Sequence, residues 1–304
     1  MNKLELKLKE YKPNVTQSTI SQYMLNLRKL YTTMYPEKRE PLDLAFLKKR
    51  DKILEILDSR PDNTKKNILN SVIVFTQILL KEVNVQSIKD TLEVYTEMRD
   101  ELNKKYFEEG AKNIKTPKQE KNWLEYGEVV NIANNLKKTN FQNYVILSTH
   151  ILIPMRNDMA SLIKITPSGY KKLDKDIKEK NNYLLRSPHK YVIKMNNYKT
   201  AGKYDERTIL IPPELNSMYR KLININKDNK YFIVNPKTNE RYTNNQFTLL
   251  FNKMFAHTKK KVSTTLLRNI VLSFKFGDTL KAQKLLANNM MHSVEMQKAY
   301  IKTS

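Results

Sequence analysis

Six residues in the second half of the chain carry groups that together could transfer a phosphodiester: Arg156, Lys199, Thr265, Arg268, His292 and Tyr300. A tyrosine hydroxyl can take the phosphorus as a covalent ester and so keep the bond energy for a later rejoining step. Two guanidiniums can hold the non-bridging oxygens through planar, two-pronged hydrogen bonds while charge builds in the transition state. A lysine ammonium can protonate a departing 5′-hydroxyl, and a histidine can donate to the phosphate. Thr265, three residues before Arg268, can bond a phosphate oxygen but cannot exchange a proton near neutral pH.

Each of these residues also has a plainer role open to it. Arg156 stands between an apolar helix pattern and the Leu162-Ile163 run, where a guanidinium needs an anion: a phosphate, or a carboxylate such as Asp158. Lys199 shares its turn with Lys203. The run Lys259-Lys-Lys261 suits a solvated turn, or a guide for backbone phosphates. Met290 and Met291 before His292 suit core filling. Tyr300 is one of 17 tyrosines.

The local contexts resemble those of the tyrosine recombinases, the phage-integrase family. Pro154-Met-Arg-Asn-Asp158 is similar to its first-arginine box, with Asp158 placed to support the arginine. Asn197-Tyr-Lys-Thr200, with Tyr204 and Thr208-Ile-Leu-Ile211, is similar to its β-hairpin lysine segment and favours Lys199 over Lys203. Ser263-Thr-Thr-Leu-Leu-Arg268 resembles the second-arginine box, although Thr265 replaces a common histidine and Asn269 a frequent basic or histidine neighbour. Met291-His-Ser-Val-Glu295 with Tyr300 resembles the nucleophile segment. Integrases of eukaryotic viruses, virophages and related mobile elements are the nearest flavour. The resemblance implies a metal-independent recombinase or integrase with no cofactor, acting on double-stranded DNA through a 3′-phosphotyrosyl intermediate. It also implies a homo-tetramer on DNA, and Lys203, Lys259, Lys260 and Lys261 as DNA contacts. The alternatives are type IB topoisomerase-like relaxation and an inactive DNA-binding protein of the same fold.

Composition agrees with a polyanionic partner. The chain has 304 residues and a net charge of +24, unevenly spread. Residues 1–122 carry 24 Lys and Arg against 18 Asp and Glu, whereas 123–304 carry 31 against 13. Such an excess sets up a field that attracts nucleic acid. The basic groups are not gathered on one amphipathic helix, which disfavours a membrane-surface role. Cysteine is absent, so disulfides and cysteine-zinc sites are excluded. His150, His189, His257 and His292 do not pair at metal-ligand spacing. With no apolar leader or membrane-length stretch, the expected location is intracellular, soluble and DNA-associated.

The elements that would position these groups follow from hydrophobic period. Ile20, Tyr23, Met24, Leu27, Tyr31 and Met34 predict a helix ending before Pro36. Further helices are predicted over about 43–58, from Asn63 through Leu79, and from Ser87 to Gly110. Together they make a helical bundle over 1–110, resembling the family's core-binding (SAM-like) clamp domain. Residues 111–122, poor in apolar groups, read as a basic linker. A mixed α/β catalytic domain is expected over 123–304, giving a mainly α chain with a small antiparallel sheet. It should hold helices at about 126–137 and 140–152. Strands are expected at Tyr191–Met195, Thr208–Ile211 and Tyr231–Val234. Helix is expected from Pro213, and again from 243 onward.

Overall fold

The computed structural model describes residues 3–41, 43–188, 190–291 and 293–300. It divides into two compact units, Met1–Ile114 and Lys115–Ser304. The first is helical: α1 (Lys3–Tyr11), α2 (Gln17–Met34), a 3-10 turn (Ala45–Lys48), α3 (Arg50–Asp58), α4 (Asp62–Val83) and α5 (Gln86–Ala111). Thr16 caps α2 by accepting from the Thr19 amide at 3.3 Å. The same helix buries Ile20, Met24, Leu27, Leu30 and Met34 on one stripe, as its period requires. These meet Leu69, Val72, Phe75 and Leu79 of α4 in one core. Asn84 ends α4 in the left-handed region at φ 37°, a conformation asparagine tolerates.

The single helix expected over 43–58 is broken. The Tyr95 hydroxyl donates to the Leu47 carbonyl at 3.1 Å. That carbonyl sits in the last 3-10 turn, and the chain then kinks at Lys49 before α3 begins. A buried tertiary hydrogen bond thus takes an acceptor that a continuous helix would use internally.

The second unit contains α6 (Pro117–Asn122), α7 (Tyr126–Thr139), α8 (Phe141–Leu152), a 3-10 turn (Asn157–Ser161), β1 (Ile163–Ile165), α9 (Pro167–Lys171), α10 (Lys175–Glu179), β2 (Asn182–Arg186), β3 (Tyr191–Met195), α11 (Ala201–Tyr204), β4 (Arg207–Leu210), α12 (Pro213–Ile225), α13 (Asn244–Met254), α14 (Thr264–Asn289) and α15 (Val294–Tyr300). Within the stretch read as a linker, Thr116 and Gln119 form a capping box that starts α6.

The sheet has order β1-β2-β3-β4. β1 runs parallel to β2, pairing Ile163 with Tyr183, and the remaining pairs are antiparallel. The sheet is therefore mixed rather than purely antiparallel. Tyr231–Val234 does not form the expected strand. Tyr231 makes one bridge to Ile163, and the Phe232 amide donates to the Leu162 carbonyl at 2.9 Å. The run is apolar because it is buried against the core.

α8 is the central rod of this unit, with Tyr144 through Ile151 buried in succession, as a helix enclosed on all sides must be. α14 buries Leu266, Leu267, Ile270 and Val271 in its first turns, then exposes Leu272, Phe274, Phe276, Leu285 and Leu286. The Phe274 ring stacks on Tyr126 at 3.9 Å. Among the described residues, no helix is long and apolar enough to cross a membrane.

Candidate functional site

α8 stops at Leu152 because Pro154 cannot continue it, and the chain enters an extended segment that presents Arg156. Met155 and Met159 are buried on either side, while Arg156 is exposed. The floor beneath is His150, fully buried, whose Nδ1 pairs with the Ile146 carbonyl at 2.8 Å. Its ring contacts Phe251 at 4.9 Å. Burial, reinforced by the charge of Arg268, lowers the His150 pKa to about 4. It is a neutral support.

Arg268 arrives from α14. Ser263 caps that helix, accepting from the Leu266 amide at 3.2 Å. Arg268 Nε donates to the Thr264 carbonyl at 3.4 Å and Nη2 to Thr265 Oγ1 at 3.1 Å. Thr265 thus accepts from the guanidinium and keeps its own hydroxyl proton to donate elsewhere. The pKa of Arg268 is lowered, first by burial and then by the nearby Arg156 charge, with Asp158 opposing. Burial raises the Asp158 carboxyl, while Arg156 and then Arg268 pull it down. Arg156, Asp158 and Arg268 thus form one electrostatic cluster drawn from two separate elements.

Lys199 lies exposed in the β3–β4 connection. That loop is held at its base by the buried Asn182. Its Oδ1 accepts from the Asn196 and Asn197 amides at 2.9 and 2.8 Å, and its Nδ2 donates to the Asn197 carbonyl at 2.8 Å. On the other strand Glu206 accepts from Tyr170 and Lys194. Burial, and behind it the Glu206 contact, pushes the Tyr170 phenol up to about 12. Lys203 belongs to α11, and its side chain falls outside the described residues.

Lys259 and Lys261 are exposed, whereas Lys260 is half-buried with its ammonium donating to the Trp123 carbonyl. The Lys261 amide donates to Asn122 Oδ1 at 2.7 Å, so this turn is tied to α6. His292 lies outside the described residues. Tyr300 is on α15 and 64% exposed. Asn289, the end of α14, is about 31 Å along the helix from Arg268 at ~1.5 Å per residue. The charges that act on Arg268 include Arg156 and Asp158. The fold gathers the two arginines, Asp158 and Thr265.

Two asparagines at this site escaped the sequence reading: Asn157, beside Arg156, and Asn182, under the lysine loop. The only signal was a buryable amide next to a candidate residue.

No family model matches the chain, and no curated protein matches it. Among solved structures it is similar to a XerA recombinase at 13% identity and TM-score 0.36, covering 100% of this chain and 94% of that one. It is also similar to a XerH site-specific recombinase bound to a difH substrate in a pre-cleavage complex. There the identity is 11% and the TM-score 0.38, covering 94% and 92%. Likenesses this distant do not fix the arrangement of a site, which rests on the chain's own geometry.

Proposed function

We propose that the chain is a tyrosine recombinase, an integrase of a virus or mobile element that cuts and rejoins double-stranded DNA without a cofactor. The observation that carries this reading is that the segments bearing Arg156 and Arg268 are joined through Asn157 and Thr264, with the Arg156 charge acting on Arg268. Two guanidiniums drawn together at a surface repel one another unless an anion joins them, and a phosphodiester fits both. In this reading the Tyr300 oxygen attacks phosphorus and the phenol gives up its proton to solvent water. The bond to O5′ breaks, and Lys199 supplies a proton to that oxygen. The products are a 3′-phosphotyrosyl ester and a free 5′-hydroxyl. The return step is the reverse, with a 5′-hydroxyl attacking the ester and the tyrosine leaving. His292 donates to the phosphate, Lys203, Lys259 and Lys261 contact DNA, and four copies assemble on two duplexes.

A second reading, a DNA-binding protein of this fold without catalysis, is favoured by one observation: the residue that bonds Arg268 from three positions earlier is Thr265, which cannot exchange a proton near neutral pH. A nicked suicide duplex separates the two readings. It carries the sequence at the ends of the element that encodes the chain and is tested in the presence of a chelator. The recombinase gives a covalent adduct that survives denaturing electrophoresis. Tyr300→Phe abolishes it while duplex affinity stays nearly unchanged. Arg156→Ala and Arg268→Ala each slow its formation by at least about 100-fold, the scale for losing a positioned transition-state donor. Absence of adduct with the wild-type chain, or its persistence in Tyr300→Phe, rules out Tyr300 as the nucleophile.

A further inference from the structure

Like-charged groups do not stay together unless the backbones that carry them are restrained, and one side chain supplies that restraint here. Asn157 follows Arg156 directly. Its Nδ2 donates to the Asn244 carbonyl at 3.1 Å and to Thr248 Oγ1 at 3.0 Å, both on α13. Its Oδ1 accepts from Thr264 Oγ1 at 2.6 Å. The amide orientation follows from its partners, because the Asn244 carbonyl can only accept. Thr248 uses its own hydroxyl proton on the same carbonyl at 3.0 Å, which leaves its oxygen free to accept.

Thr264 is the first residue of α14 and 6% exposed. Its side chain meets Asn157 while its carbonyl accepts from Arg268 Nε. A continuous path therefore runs from Arg156 through Asn157 and Thr264 to Arg268, and α13 braces it from the side. Neither Asn157 nor Thr264 carries charge, so the path ties the two arginine-bearing segments together and leaves Asp158 as the carboxylate that acts on both. A carboxylate in the same place would compete with an incoming phosphate.

We propose that Asn157 is a positioning residue that, through Thr264, holds Arg156 and Arg268 at the spacing of one phosphate. This rests on the reading of the arginine pair as a phosphate clamp, but not on Tyr300 being the nucleophile. The consequence is that phosphate affinity depends on an uncharged contact between two residues that need not touch the ligand.

The test uses the full chain with inorganic phosphate as probe, following the Nε–H signals of Arg156 and Arg268 by NMR, each assigned by an arginine-to-lysine variant. Thr264→Val keeps the buried volume and removes the donor to Asn157. It weakens phosphate binding by about fivefold, the factor one hydrogen bond of ordinary strength supplies. Thr264→Ser keeps the hydroxyl and restores wild-type affinity. Asn157→Asp keeps an acceptor for Thr264 but loses both donors to α13 and sets a carboxylate beside Arg156, so it weakens phosphate binding more than Thr264→Val does. Melting temperature is recorded for each variant, so that loss of fold is separated from loss of clamp. A lower melting temperature in Thr264→Val with unchanged phosphate affinity makes the contact merely structural and overturns the proposal. So does a wild-type chain in which phosphate moves neither arginine signal. If the Val and Ser pattern holds but the suicide duplex gives no adduct, the clamp stands and the covalent chemistry falls.

Discussion

At the level of single residues, the site combines groups that a motif makes visible with groups only packing can reveal. Arg156 is legible because a guanidinium beside buried apolar residues requires an anion, and Arg268 through the Ser263-Thr-Thr-Leu-Leu-Arg268 context. His150 was visible merely as a histidine without a metal-ligand partner, and its role comes from position: it fills the space between α8 and α13, against Phe247 and Phe251. That position has a pH signature. Burial, and the Arg268 charge with it, holds the folded-state pKa near 4, while the unfolded chain takes up a proton near the ordinary value of about 6.5. Above that value both states are neutral and the histidine costs nothing. As pH falls between the two values, only the unfolded state is protonated, so stability declines by about 1.4 kcal/mol per pH unit. His150→Gln removes this component. Urea midpoints measured from pH 7 to pH 4.5 should therefore fall more steeply for the wild-type chain than for the variant. Parallel curves would place the His150 pKa near its unperturbed value and contradict the buried environment.

At the level of elements, periodicity revealed the long helices and failed where segments are short or contacts are tertiary. α2 and α4 show their apolar spacing plainly, whereas α8 shows a nearly continuous apolar run. β1 is three residues long and β2 has Tyr183 through Leu185 buried, so neither shows the alternation that marks a half-exposed strand. Tyr231–Val234 shows strand-like composition for a different reason, burial against the core, and pairs only through a bridge. The lysine hairpin was legible from its flanking strands, β3 and β4. Its anchoring by Asn182 was not, because an asparagine in sequence does not disclose which backbone it will bond. The anchoring leaves Lys199 on a loop with a fixed base and an exposed tip, which suits a group that must reach a leaving oxygen. Lys199→Ala should therefore slow cleavage of an ordinary duplex. It should cleave a 5′-bridging phosphorothiolate duplex at close to the wild-type rate, since a thiolate leaves without protonation. Rescue of Lys203→Ala in place of Lys199→Ala would move the acid role to Lys203, and rescue of neither would take the hairpin out of the chemistry.

For the whole molecule, charge is the property that sequence states most fully and fold refines. The net charge of +24 can be counted without a structure, but which lysines remain free to meet a polyanion cannot. In the run at 259–261, Lys259 and Lys261 are exposed, whereas the Lys260 ammonium is turned inward onto the Trp123 carbonyl. Counterion release makes the logarithm of duplex affinity fall linearly with the logarithm of salt, with a slope of about −0.9 per phosphate contacted. If the run tracks the DNA backbone, Lys259→Gln and Lys261→Gln together should reduce the magnitude of that slope by about 1.8. Lys260→Gln should change it by much less, because its ammonium is held by the protein, and should instead lower thermal stability through loss of the Trp123 contact. Fluorescence anisotropy on a labelled duplex across a salt series, paired with a melting curve for each variant, measures both effects. An equal change of slope from all three lysines would mean that Lys260 swings out to the DNA and that the turn reorganises on binding. No change from any of them would remove 259–261 from the DNA-contacting surface, and the excess charge of residues 123–304 would then have to act through other groups.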